Sequence, residues 1–411
     1  MLNKILGTIS LSLLLLAPSR GTAQAPPIAI VAETVIDGTG KVLHNTTIIV
    51  QGSKITRVGG PVPAGAQVFN LGHLTVAPGF IDTHSHILWH FDNGRFVGIG
   101  KGEPPQQATL HGVDNVIMTL DAGFTTIQSP GAPDDKFMRD AIARGYIPGP
   151  RILTSLQPLT ESSGNPEQLR ALVDERHAQG ADFIKIFASK SIREGGDQTM
   201  TDPQLEAACG EAKKLGLRTL VHAHADSAAL AASNAGCTSI EHGAYVTDAT
   251  FRIMAKNGTY YDPNIGLVLQ NYIRNKDKFL GIGNYNDEGF AFMTKGEAIT
   301  LATFKRAIKI PGLKIVYGTD AVAGAHGHNG DEYIARVEQG GWDPMLSMIS
   351  MTSLSAKSLN LGDQIGSIAP GMQADIVATD GNPLTDAKAV ERVLFVMKGG
   401  TIFKNVVPTD K

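Results

Sequence analysis

The sequence predicts an α/β protein: a (β/α)8 TIM barrel with a small β-sandwich domain built from both chain ends. Three observations carry this. Eight short apolar runs alternate with helical segments through the middle of the chain, both ends read as β-structure alone, and the runs close on histidines and acids.

Residues 28–36 form an apolar strand that meets a turn signal at Asp37-Gly38. The pair 47–50 and 54–58 flanks Gln51-Gly52 and reads as a hairpin. Near the other end, 374–378, 390–398 and 401–404 have the same character. Chain termini commonly lie close together, so one sheet domain built from both ends is the economical arrangement. The expected division is a β domain from 24–78 and 363–411, with the barrel at 79–362.

The eight barrel strands are expected at 80–86, 123–128, 151–154, 182–187, 218–222, 238–242, 259–262 and 314–318. Helix signals lie between them. Thr201-Asp202-Pro203-Gln204 combines an N-cap, an early proline and a capping-box glutamine ahead of Leu205, Ala208, Cys209, Ala212 and Leu215 at helical spacing, and Gly216 ends the helix. The alternative is an open doubly wound sheet, but no glycine-rich phosphate loop follows any run.

With a formal charge of −3 over 411 residues and no basic run, nucleic acid is not an expected partner. Residues 1–23 differ from the rest: Lys4 precedes an apolar run that stops at Pro18-Ser19-Arg20, with small residues at Gly21, Ala23 and Ala25. This reads as a secretory signal cleaved after Ala23, too short for a membrane anchor. Its removal takes the formal charge from −3 to −5. The mature protein is expected to be periplasmic or secreted, with no stable membrane anchor, and a homo-oligomer is left open. Cys209 and Cys237 could pair in an oxidising compartment, but the reading preferred is two buried small apolar side chains.

The strand ends carry the chemistry. Strand 1 closes on His84-Ser85-His86, whose i and i+2 side chains share a face, and Asp82 on that face could orient them or fill the barrel interior. Strand 4 places Lys185 between Ile184 and Ile186, where a desolvated ammonium is costly and a neutral amine is reactive. Strand 5 ends in His222-Ala223-His224, strand 6 in Glu241-His242, and strand 8 in Asp320, followed by His326 and His328. Of twelve histidines, seven sit at these ends, which points to a metal centre. His44, His73, His111 and His177 fall in loops or helices and are given no role; His90 is left open.

As an ordered set, His84 and His86, Lys185, His222, His242 and Asp320 resemble the markers of the amidohydrolase superfamily. The flanks Val35-Ile36-Asp37-Gly38-Thr39-Gly40, Ala77-Pro78-Gly79-Phe80-Ile81-Asp82, Gly366-Ser367-Ile368-Ala369-Pro370-Gly371 and Ala374-Asp375-Ile376-Val377 resemble family segments too. Within the superfamily the chain is most similar to the prolidase-like and imidazolonepropionase-like branch, with its dipeptidases, amino-acid amidases and ochratoxin-type amidohydrolases.

The resemblance implies two divalent ions, zinc by ligand type, with manganese or cobalt as substitutes. His84, His86 and Asp320 would surround one and His222 and His242 the other, with carbamylated Lys185 between them. A hydroxide shared by the ions would attack an amide carbonyl, and Asp320 would carry its proton to the leaving amine. His224 is the expected carbonyl donor, with a supporting hydrogen bond to a ligand as its alternative. His326, with Asn329 and Glu332, is expected as a substrate-contact or supporting element, and His328 as exposed.

Two loops depart from the family pattern: Gln128-Ser129 replaces an Arg-Asp pair, and 159–164 lacks the Gly-Gly-His of many relatives. Arg193 is a possible carboxylate clamp, though the solvated reading is preferred, and 260–264 is expected to line the pocket with aromatic surface. The expected substrate is a small-molecule amide: an N-acyl amino acid, a dipeptide or an aromatic amide. A cyclic-amide or lactone hydrolase, or a non-catalytic ligand-binding barrel, is the alternative. All of this requires the imidazoles of strands 1 and 6 to lie within about 10 Å of each other.

Overall fold

The computed structural model describes residues 25–98 and 102–407; the signal segment expected at 1–23 lies outside them. β1 (Ile28–Ile36), β2 (Val42–Gln51), β3 (Lys54–Val58) and β4 (Gln67–Pro78) open the chain. β5 (Phe80–Asp82) starts the barrel, a short hairpin of β6 (His90–Asp92) and β7 (Arg95–Val97) interrupts it, and β8 (Phe124–Ser129) and β9 (Arg151–Thr154) resume. β10 (Phe183–Phe187), β11 (Arg218–Ala223), β12 (Ser239–His242), β13 (Tyr260–Asp262) and β14 (Lys314–Ile315) complete it. β15 (Ile376–Thr379), β16 (Val393–Lys398) and β17 (Thr401–Asn405) end the chain.

The terminal strands share one seven-stranded sheet in the order β17-β16-β15-β4-β1-β2-β3. The sheet folds over so that edge strand β3 returns against the segment before β15: Ile55 N–H donates to Met372 and Gly371 N–H to Ile55. Ile30, Val35, Ile48, Ile55, Leu74, Ile376 and Phe395 fill the space between its halves. Both chain ends are needed, because the apolar face of neither can be covered by its own half alone.

The barrel is parallel, with β5-β8-β9 and β10-β11-β12-β13-β14 as its two arcs. The arcs join where Leu159 bridges Ile186 and where Ser85 bridges Ala321. Thr83 N–H donates to Tyr317, Asp320 N–H to His84 and His86 N–H to Ala321, so the strand-8 segment is zipped onto the segment that carries the paired histidines.

Pleating decides what faces inward. On β10, Ile184 and Ile186 pack into the outer core with Leu205, Ala208, Val221, Ile240 and Phe251, which turns Lys185 into the barrel. The helix Asp202–Lys214 starts where the sequence places it: Thr201 accepts from Gln204 N–H, and the Gln204 side chain accepts from Thr201 N–H. Its buried face, including Leu205, Ala208, Cys209 and Ala212, covers β10 and β11.

One expectation is corrected here. Cys209 on that helix and Cys237 before β12 are not separate buried side chains but a disulfide, with Cα atoms 5.1 Å apart. Cys237 lies in the turn between the helix Asp226–Asn234 and β12, beside the neighbouring helix that carries Cys209, and spacing along the chain does not reveal that proximity.

Candidate active site

At the carboxyl ends of the barrel strands, His84, His86, Lys185, His222, His224, His242 and Asp320 line one cavity of about 130 Å³. The rings of His84 and His242 lie 5.3 Å apart, well inside the limit that the sequence argument requires. His222 and His242 are 4.7 Å apart, and His84 and His86 5.2 Å. The donor atoms form two compact groups, His84 with His86 and Asp320, and His222 with His224 and His242, each within 4.8 Å.

Neighbouring groups aim these rings. Nδ1 of His84 lies 3.0 Å from Oε2 of Glu241, so its proton sits there and Nε2 faces the cavity. Nε2 of His222 is 3.2 Å from the Lys190 carbonyl, which leaves Nδ1 for the site. Asp82 accepts from the backbone N–H groups of His84 and Thr319 and from the side chains of Thr319 and Asn329. It orients the histidine segment through the backbone.

His242 (φ 67°) and Asp320 (φ 53°) both adopt left-handed backbone, which non-glycine residues take at a cost. The turn at His242 lets both Glu241 and His242 serve the interior. Burial pushes the pKa of Glu241 well up, with Asp262 adding to the effect. Glu241 is the functional residue that the sequence reading passed over: an acid with no exposed surface, flanked by an apolar residue and a histidine.

Lys185 is buried, and desolvation lowers its pKa, opposed by Glu241, Asp320 and Asp262. Its Nζ sits 5.0 Å from the Phe187 ring centroid. His84, His222 and His242 are all pushed well below the usual imidazole range, first by burial. Their lone pairs are therefore free for a cation.

The residues present fit divalent metal. In a tetrahedral site with bonds of about 2.05 Å, ligand atoms stand about 3.4 Å apart. Oδ1 of Asp320 lies 3.3 Å from Nε2 of His84 and 3.1 Å from Nε2 of His86. The buried Nε2 of His84 has no hydrogen-bond partner among the described residues.

His224 also lines the cavity, its ring 4.7 Å from that of His222 and 4.9 Å from that of His242. Burial, then Arg193 and Lys185, pulls its pKa down to about 3, and its Nδ1 is unpartnered among the described residues. His326 is buried but does not line this cavity; the His86 and Trp89 backbone groups are its polar neighbours. Asn329 bonds Asp82, Glu332 accepts from Ile265 and Gly266 N–H, and His328 is exposed. The polar pattern around His326 therefore braces the backbone beneath the site.

Two further expectations change. Arg193 is half-buried and partnered rather than free in solvent: its guanidinium stacks 4.2 Å over Tyr285 and 5.4 Å over Tyr272, its Nε donates to Asn284, and it lines the cavity. Tyr261 points outward into the core and donates to the His242 carbonyl, so segment 260–264 contributes Pro263 and Asn264 rather than aromatic surface. The aromatic wall comes from Trp89, Phe187 and Tyr272, with Trp89 stacked 4.5 Å from His86. Gln128 donates to the Thr83 carbonyl and accepts from Arg218 below the site.

Comparison with known proteins agrees with this fold. The chain is 24% identical to the ochratoxinase of Aspergillus niger over 438 aligned positions, which cover 93% of this chain and 88% of the fungal one. A Xaa-Pro dipeptidase solved with methionine in its active site superposes with a TM-score of 0.83 at 28% identity, over 92% of this chain and 100% of that one. A prolidase bound to N-methylphosphonate-L-proline gives 0.83 at 25% identity, again over 92% and 100%. The model of the amidohydrolase family matches residues 75–403, and the chain belongs to that family.

Proposed function

We propose that the chain is an exported two-metal hydrolase that cuts the amide bond of a small substrate bearing a carboxylate: an N-acyl amino acid, a dipeptide or an aromatic amide of the ochratoxin kind. Family membership makes it a hydrolase of carbon–nitrogen amide bonds in a group that uses divalent metals. The observation that carries the finer reading is the meeting of two histidine groups with Lys185 and Asp320 in one buried cavity.

In this reading His84, His86 and Asp320 would hold one cation and His222 and His242 the other, with Lys185, carbamylated, as a shared ligand. The lowered pKa of Lys185 supports that modification, because only a neutral amine adds to carbon dioxide. Bound there, divalent cations, zinc or else manganese or cobalt, would supply an ionised water near neutral pH and polarise the carbonyl. Asp320 takes the proton of that water and passes it to the leaving nitrogen as the water oxygen joins the carbonyl carbon and the C–N bond breaks. His224, neutral at working pH, donates its N–H to the carbonyl oxygen.

Substrate class follows from the walls. Arg193 borders both the inner cavity and an outer one of about 280 Å³ that also contains Trp89, Phe96, Phe187 and Tyr285. A carboxylate held at that boundary places the adjacent amide inward and leaves an apolar group against the aromatic wall. The names of the relatives, an ochratoxinase and a Xaa-Pro dipeptidase, point to the same class. The disulfide supports export, since such bonds persist in oxidising compartments. No helix among the described residues is long and apolar enough to cross a membrane.

The test is a screen of N-acyl amino acids, dipeptides, aromatic amides and lactones with the released products resolved by mass. The expected result is amine release that chelation abolishes and zinc, manganese or cobalt restores. Turnover of lactones alone, or tight binding without turnover, overturns the reading.

A further inference from the structure

A second group of metal-type donors lies outside the barrel centre. His90 opens β6, His111 sits on the helix Pro105–Asp121, and Glu103 precedes that helix. Nε2 of His90 is 3.3 Å from one Glu103 oxygen, and Nε2 of His111 is 3.6 Å from the other. The two rings stack 4.2 Å apart, and one donor atom from each residue falls within 4.8 Å of the others.

A cluster of neutral imidazoles hydrogen-bonded to the carboxylate does not account for this arrangement. Nδ1 of His90 lies 2.9 Å from the Leu88 carbonyl, which only accepts, so the neutral ring carries its proton on Nδ1 and presents a lone pair at Nε2. An ionised carboxylate also only accepts. Accordingly His90 Nε2 and Glu103 Oε1 lack hydrogen-bond partners among the described residues, although His90 is only 5% exposed. With the ring neutral, Nε2 of His90 and the Glu103 oxygen 3.3 Å away are both acceptors, and a cation shared between them turns that opposition into attraction.

One donor atom from each of the three residues lies within 4.8 Å of the other two, a cluster compact enough to close on one divalent ion. We propose that His90, Glu103 and His111 form a further divalent-cation site of zinc type, independent of the barrel centre. Two imidazoles and one carboxylate suit zinc, and water completes the coordination from a cavity of about 450 Å³ lined by His90 and Glu103. That cavity shares no lining residue with the inner one at the barrel rim. The ion ties the β6–β7 hairpin to the helix Pro105–Asp121 one residue beyond Trp89, and so steadies the aromatic wall of the inner cavity.

The test uses the intact protein, stripped with chelator and equilibrated against zinc over a range of free concentrations, with bound zinc read by elemental analysis. His111→Ala and Glu103→Gln are each expected to bind one zinc fewer per chain than wild type. His222→Ala, altered at the barrel centre, keeps the extra ion, and His111→Ala then removes it in that background as well. Glu103→Gln is nearly isosteric and guards against a folding defect in His111→Ala. Equal zinc content in wild type and Glu103→Gln at every free concentration overturns the proposal and leaves the cluster an ion pair only. Bound zinc is read rather than turnover, so the outcome is separate from any failure of the amide-hydrolase reading.

Discussion

Arg193 gives the most direct handle on the substrate. The structure holds its guanidinium against Tyr285 and Tyr272 and ties Nε to Asn284, so the group is preorganised at the boundary of the inner and outer cavities. A hydrogen bond to a charged partner contributes about 1.5–3 kcal/mol, which corresponds to roughly 10- to 150-fold in kcat/KM. Arg193→Met should therefore lose about that factor on an N-acyl amino acid, and mainly in KM if the clamp acts equally in ground and transition states. Arg193→Lys should recover only part, because a point charge cannot reproduce the planar stack on two rings. The decisive control is the same substrate with its carboxylate converted to a carboxamide, which should be cleaved equally by wild type and Arg193→Met. Initial rates over a concentration series separate KM from kcat. An equal loss on both substrates, or no loss on either, would falsify the clamp and leave Arg193 as a structural brace.

Four other outcomes are expected. Asp320→Asn should lower kcat by about 10²–10⁴-fold, the usual contribution of a positioned acid–base group, while much of the metal stays bound; wild-type rates would remove it from the mechanism. Lys185→Ala should lose one or both metals of the barrel centre, and a variant with full metal content and activity would refute its bridging role. Replacing both Cys209 and Cys237 by Ala opens a loop of sequence separation 28 and should cost about 3.5 kcal/mol in urea unfolding by the chain-entropy estimate; an unchanged midpoint would show that packing alone holds the helix. Burial lowers the Lys398 pKa from 10.5 to about 8. Its ammonium therefore penalises the fold fully below pH 8, and as pH rises toward 10.5 the folded state sheds its proton first, which raises stability by at most about 3 kcal/mol. Lys398→Met should lack that rise, and parallel pH profiles of the two proteins would contradict the argument.

Much of the barrel was legible because periodicity and burial agree. Ile184 and Ile186 face the outer core, so the alternation that exposes Lys185 to the interior can be read from the sequence. The capping box at Thr201 and Gln204 is local chemistry and was legible for the same reason. Other features depend on contacts that no local pattern encodes. Strict alternation pairs His242 with outward-facing Ile240, and only the left-handed φ at His242 brings it in beside Glu241. Tyr261 lies on the outward side of β13, whereas Tyr272 and Tyr285 reach the site from the helical segment and loop after it and Trp89 from the turn beyond His86. Arg193 looked solvated because its stacking partners lie about 80–90 positions downstream, on elements whose packing only the fold reveals.

The layer beneath the histidines explains why the barrel interior here is polar, where bulky aliphatic residues are usual. Asp82, Glu241 and Asp262 have no exposed surface, and burial raises the pKa of each. Each acid is bonded to the scaffold of the site: Asp82 to the backbone of His84 and Thr319, Glu241 to the His84 ring, and Asp262 to Thr83 and Gly318 N–H. Arg336, itself fully buried, donates to Glu332 and to the Val316 carbonyl and lies 3.4 Å from Asp262. For stability alone this ionic layer is a poor choice, since apolar packing of the same volume is often neutral or better. Its effect is positional. It fixes the tautomer of His84 and pins the backbone that ends in the left-handed turn at Asp320, so that imidazoles and carboxylate meet at ligand spacing before any cation arrives.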